Sequence, residues 1–195
     1  MTTTKLKPPY AISKHSADKS EFQLCIQCLS AYNQGIHHFY WVDLFDIETL
    51  DDFKECIDYT INTSPVCDAE EWFYSDSMGL EGKAKGEYAN LSDIKEYIDV
   101  IKQLPEDSRE AYKAYSDYEG LDEIISLEKF EEKFRGFYDS TKECAESFYE
   151  DTTPEESKGI LWDQVDWERV WYSELRHQFL EIETVGKGLA IFWRD

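Results

Sequence analysis

Nowhere in the 195 residues does an apolar run reach the length of about eighteen that a membrane-crossing helix needs, so no such helix is expected. The first nineteen residues are polar, carry Lys5, Lys7, Lys14 and Lys19, and lack the apolar centre of a secretory leader. Cations are scarce: 20 Lys and Arg stand against 42 Asp and Glu, a formal net charge of −22. Direct nucleic-acid binding and binding to an anionic membrane surface are therefore both disfavoured, because those affinities come from Lys and Arg neutralising phosphates. Catalytic signatures are missing too. There is no D-x-[DN]-x-[DN]-G loop, no H-E-x-x-H, no P-loop and no G-x-S-x-G elbow. His37 and His38 are adjacent, as are Asp51 and Asp52, so their side chains diverge in regular structure instead of converging on one ion. The expectation is a protein that is not an enzyme and uses no metal or cofactor. No unit of 20–50 residues recurs, which argues against a solenoid.

What is abundant is aromatic. Eleven Phe, 13 Tyr and 6 Trp exclude a disordered acidic tail, since disordered segments lack side chains able to offset their ordering entropy. The five cysteines, an odd number without an export signal, read as reduced thiols in a cytoplasmic protein. Cys25-x-x-Cys28 is the one suggestive pair. It lies in a strand-like segment, Phe22-Gln-Leu-Cys-Ile-Gln-Cys-Leu29, where residues three apart face opposite ways, so ordinary buried cysteines are expected.

The pattern along the chain predicts an α+β fold in segments. Residues 1–20 read as a flexible arm with a net charge of +3. Residues 21–82 read as an α/β unit with a short antiparallel sheet: strands near 22–29, 38–43 and 71–75, and a helix to about Asn62 opened by a Thr49–Asp52 capping box. Residues 83–118 read as a helical pair, with Ser92 as first cap and Pro105 between the two. Residues 119–195 predict helices near 126–138, 140–151 and 163–175, then a closing hairpin over 178–193.

The acids are unevenly placed. Residues 43–82 hold twelve acids and one base, Lys54; residues 119–159 hold thirteen and five; residues 83–118 hold eight and six. Glu48, Asp51, Asp52, Glu55 and Asp58 share one helical face, and so do Asp139, Glu143, Glu146 and Glu150. At about 1.5 Å rise per residue the first row carries a charge about every 3 Å, close to the roughly 3.4 Å phosphate spacing of one DNA strand. Like charges at i, i+4 destabilise a helix by a few tenths of a kcal/mol per pair. Such rows are solvated faces, a halophilic adaptation or a copy of phosphate spacing, with the fifteen lysines and many aromatics arguing against the second. The whole charge equals about 37 Å of duplex at one charge per 1.7 Å.

Four segments, in order, resemble the ArdA antirestriction proteins of plasmids, phages and conjugative transposons. Tyr32, Asn33, Gly35, Trp41 and Asp43 match that family's N-terminal signature, although Phe39 stands where a Gly is usual. Glu70-Glu-Trp-Phe-Tyr-Ser-Asp76 with Gly79 is similar to a second segment, and Tyr138-Asp-Ser-Thr-Lys-Glu-Cys-Ala-Glu-Ser-Phe-Tyr-Glu150 to a third. The stretch from Phe179 to Trp193 resembles the closing hairpin. The resemblance implies an elongated, cofactor-free DNA mimic of three small domains (21–82, 83–118 and 119–195), often a homodimer, that occupies the DNA-binding groove of type I restriction-modification enzymes. Its implied partner surface comprises Asp43, Asp46, Glu48, Asp51, Asp52, Glu55, Asp58, Glu70, Glu71, Asp76, Asp93, Glu96, Asp99, Asp139, Glu143, Glu146, Glu150 and Asp151. Trp162, Trp167, Trp171 and Trp193 are the expected apolar dimer surface. The alternative from another class is an acidic chaperone or adaptor for basic proteins.

Overall fold

The computed structural model describes residues 7–16, 20–80, 90–120 and 124–194. It is α+β, and its contacts divide into two compact units, residues 1–103 with 120–124, and residues 104–119 with 125–195.

The first unit is built on an antiparallel sheet of order β1-β3-β2-β4, with β1 at Ile12–Ser13, β2 at Gln23–Cys28, β3 at Phe39–Asp43 and β4 at Trp72–Met78. All six residues of β2 are buried, Gln23 and Gln27 among them. A short α1, Leu29–Tyr32, follows β2. Helix α2, Leu50–Asn62, starts at the predicted capping box: Thr49 Oγ1 accepts from the Asp52 N–H, and the Asp52 carboxylate accepts from the Thr49 N–H. Its Phe53, Cys56 and Thr60 are buried. Helix α3, Leu91–Gln103, buries Ile94, Tyr97, Ile98, Val100 and Ile101 and packs against α2. Gly79 ends β4 at φ +70°, where an added Cβ would lie 2.7 Å from both the Glu21 carbonyl oxygen and the Phe22 ring. Only glycine permits that close approach.

The second unit holds a three-stranded antiparallel sheet of order β5-β7-β6, with β5 at Phe134–Tyr138, β6 at Phe179–Thr184 and β7 at Gly188–Trp193. Central β7 has a core on each face, as its period-two side chains require. Phe192 stacks on Tyr115 of α4 (Glu106–Glu119) at 4.4 Å and lies against Phe130 of α5 (Leu127–Lys133) at 6.1 Å. Ile191, on the other face, joins Cys144 and Ala145 of α6 (Thr141–Thr152), Trp167 of α7 (Trp167–Val170), and Trp171, Leu175 and Phe179.

Several expectations are corrected. Part of the expected N-terminal arm belongs to the sheet: Ile12 pairs with Val42 and Ser13 with Trp41, Ala11 and Ile12 are buried, and the Lys14 ammonium donates to the Phe39 carbonyl. Two apolar residues decide this against the local positive charge. Residues 1–6 and 17–19 of that arm lie outside the described residues. Asn90, not Ser92, stands at the start of α3, where its side-chain oxygen accepts from the Ser92 N–H. The expected helix over 126–138 stops at Lys133. Residues 134–138 are a strand because they pair with β7, with Gly136 at φ +130° and Phe134 against Phe192 at 5.3 Å. The helix expected over 163–175 is broken into a 3-10 turn at Trp162–Gln164, α7, and a π-helical turn at Trp171–Leu175. Of the helical pair expected over 83–118, α3 falls in the first unit and α4 in the second. Trp167 and Trp171 are core residues, with Trp162 and Trp193 packed on that core, so these four do not form an open apolar face.

Candidate functional site

Each of the two carboxylate rows is rooted in a helix cap. In α2, Asp51, Glu55 and Asp58 are exposed. Glu48 is exposed as well but precedes the helix, and its N–H donates to Asp52 at 3.0 Å. The Asp52 carboxylate is therefore turned back over the helix start. The Thr49 N–H foremost, and then the Glu48 N–H, hold its pKa below the ordinary carboxylate value. Lys54, the one base in this segment, reaches Asp51 at 2.7 Å. Both groups are well exposed, so this ion pair contributes little to stability, but it locally offsets one charge of the row.

Helix α6 starts in a related way. Ser140 Oγ accepts from the Glu143 N–H, and the Glu143 carboxylate accepts from the Asp139 N–H at 2.7 Å. Asp139, Glu143, Glu146, Glu150 and Asp151 are all exposed. Carboxylates in a first helical turn also face the positive end of the helix dipole, which offsets part of their mutual repulsion.

The remaining expected positions sort by burial. Glu70, Glu71 and Asp76 are exposed along the approach to β4 and on that strand, and Asp93 and Glu96 are exposed on α3. Asp46 is half-buried. Asp99 is also half-buried, and both of its oxygens take the Lys95 ammonium, at 2.5 and 2.6 Å. Asp43 departs from expectation altogether. It is buried, and it accepts from the Ser20 hydroxyl at 2.6 Å, the Ser20 N–H at 2.9 Å and the Phe45 N–H at 3.0 Å. It caps the turn after β3 and presents no charge to a partner. Exposed acids that the helical spacing did not single out include Glu181 and Glu183 on β6, which alternate with half-buried Ile182. Strand alternation was the available signal there.

His38 is buried with its Nε2 2.8 Å from the Thr60 carbonyl oxygen, and burial lowers its pKa. Cys25, Cys28, Cys56 and Cys144 are buried and Cys67 is exposed. Burial pushes the Cys56 thiol up to about 12 and the Cys144 thiol up to about 11, which keeps both protonated. A cavity of about 350 Å³ in the second unit is lined by Arg176, His177 and Arg194 with Trp171, Tyr172, Phe179 and Glu181. Among the described residues no cluster of three or more His, Cys, Asp or Glu is placed to hold a metal, and no helix is long and apolar enough to cross a membrane.

A family model described as antirestriction protein (ArdA) matches residues 24–183, which is most of the chain. The chain belongs to the ArdA family. No match to a curated protein reaches significance. The ArdA match begins inside β2 and ends in β6, so it takes in both capped carboxylate rows and leaves β1 and β7 outside. Membership in this antirestriction family implies an interaction with restriction enzymes.

Proposed function

We propose that this ArdA protein inhibits type I restriction-modification enzymes by occupying their DNA-binding groove in place of DNA. The observation that carries this reading is the pair of exposed carboxylate rows, one on a helix closed by the Thr49–Asp52 capping box and the other on a helix capped by Ser140, with Glu143 holding the Asp139 N–H. A groove that binds DNA presents Lys and Arg to phosphates. Carboxylates on rigid helices offer those cations the same sign of charge at similar spacing, and they lose less conformational entropy on binding than a flexible polyanion does.

The contributing groups are the exposed ones: Glu48, Asp51, Glu55 and Asp58 at α2, Glu70, Glu71 and Asp76 along β4, Asp93 and Glu96 on α3, and Asp139, Glu143, Glu146, Glu150 and Asp151 at α6. Asp52 contributes charge while serving as a cap, Asp99 is paired, and Asp43 is withdrawn to an internal role. The protein acts as an inhibitor without catalysing a reaction and needs no cofactor. The deciding experiment is competition: increasing protein should displace a labelled duplex carrying the recognition site from a type I methyltransferase core. Failure to displace it at any concentration would rule out groove occupancy.

A further inference from the structure

Between α6 and α7 the chain makes a turn whose apex is apolar. The Trp162 N–H donates to the Gly159 carbonyl at 2.9 Å, closing a four-residue turn with Ile160 and Leu161 at its two central positions. Leu161 has φ −89° and ψ 3°, the geometry of the third residue of a type I turn. Such positions ordinarily hold Asp, Asn, Ser, Gly or Pro. Here Ile160 is 99% exposed and Leu161 73% exposed.

The turn is held from below. The Trp162 ring meets Trp167 edge-on at 5.1 Å, Trp167 stacks on Tyr149, and both tryptophans belong to or pack on the core of the second unit. The Lys158 ammonium binds Glu155 at 2.9 Å and lies over the Trp162 ring at 5.5 Å. Lys158 is the only base between residues 153 and 166, and the exposed acids Glu155, Glu156, Asp163 and Asp166 flank the apex. Glu150 and Asp151, at the end of the α6 row, are near enough to act electrostatically on Lys158. The carboxylate row thus runs on into a fixed, acid-rimmed apolar tip.

We infer that Ile160 and Leu161 form an apolar anchor that enters a recess rimmed by Lys and Arg on the DNA-binding face of the inhibited restriction enzyme; this rests on the function proposed above. The acidic rim selects a basic surround, and a DNA-binding face also carries apolar side chains that contact thymine methyl groups or wedge between bases. Such an anchor supplies affinity that involves no counterion release, so it persists at salt concentrations that screen the carboxylates. It would separate this protein from a generic polyanion.

The test uses the full chain and a type I methyltransferase core, with affinity measured across about 0.05 to 0.5 M salt. Ile160→Ser with Leu161→Ser should weaken binding by about tenfold or more at every salt concentration, as expected for losing buried apolar area. It should leave the slope of log affinity against log salt unchanged. Glu146→Gln with Glu150→Gln should do the reverse and flatten the slope, while Ile160→Leu with Leu161→Met should retain binding. Both tip residues are exposed, so an unchanged melting temperature should accompany the two tip variants. Equal affinity of the serine variant and the parent protein at all salt concentrations would overturn the inference while leaving groove occupancy standing. A loss of binding that coincides with dissociation of a dimer in sedimentation would overturn it as well, by assigning the tip to self-association. If the parent protein itself failed to bind, the functional reading would fall first.

Discussion

Asp43 and Asp52 are both acidic residues near the start of α2, yet they do different things. Asp43 is buried and takes three hydrogen bonds. Asp43→Ala leaves those donors unpaired and should destabilise the protein by about 1–3 kcal/mol in urea titration, with inhibition per folded molecule unchanged. Asp52 is at the surface, and its charge is favoured by the Thr49 and Glu48 N–H groups. Because its folded pKa lies below the ordinary 3.8, the carboxylate's stabilisation is fully present above that value and is lost as pH falls through the folded pKa. Asp52→Asn should therefore melt earlier at neutral pH, and the gap from the parent protein should close under acid. Thermal scans from neutral pH down to about pH 2 check this, and a constant gap throughout would refute the cap assignment.

At the scale of the element, the rows separate charge from fold. Neutralising Asp51, Glu55 and Asp58 on α2 to Asn or Gln removes i, i+3 and i, i+4 repulsion and leaves the cap intact. Stability should hold or rise by a few tenths of a kcal/mol, while displacement of DNA from the methyltransferase weakens stepwise with each substitution. On α6, Glu146 and Glu150 should behave alike. Glu143 should also lower stability, because its carboxylate holds the Asp139 N–H. One substitution abolishing inhibition while the others had none would point to a discrete site, and full inhibition with all of them neutralised would make the rows mere solvated faces. Element identity itself was decided in two ways. The Thr49–Asp52 cap was legible in sequence because a capping box is local. Residues 134–138 were not, because Phe134, Arg135 and Phe137 suit either state and only pairing with β7 selects the strand.

For the whole molecule the governing quantity is a net charge of −22. Binding to a basic groove should weaken steeply with salt, since surface charges are screened beyond about 8 Å at 0.15 M. An affinity unchanged between about 0.05 and 0.3 M would contradict phosphate imitation. The same charge predicts no gel shift of duplex DNA by the protein alone at physiological salt.

The sequence by itself determined the properties that are sums or local patterns: a strongly acidic folded chain, the α+β class, the capped start of α2, the course of the closing hairpin, and the family resemblance carried by Tyr32, Asn33, Trp41 and the Glu70–Glu71 pair. Tertiary structure decided which of those residues face water. Asp43 and Asp51 are the same residue type, but a hydroxyl from Ser20 draws one inside while Lys54 meets the other at the surface. The four C-terminal tryptophans look equally available in sequence, yet the packing of the second unit puts Trp167 and Trp171 in its core and Trp162 and Trp193 against it, and leaves Ile160 and Leu161 exposed instead. Periodicity reports which side of an element a residue occupies. Burial depends on what lies against that side, and this is fixed by contacts between segments distant in the chain.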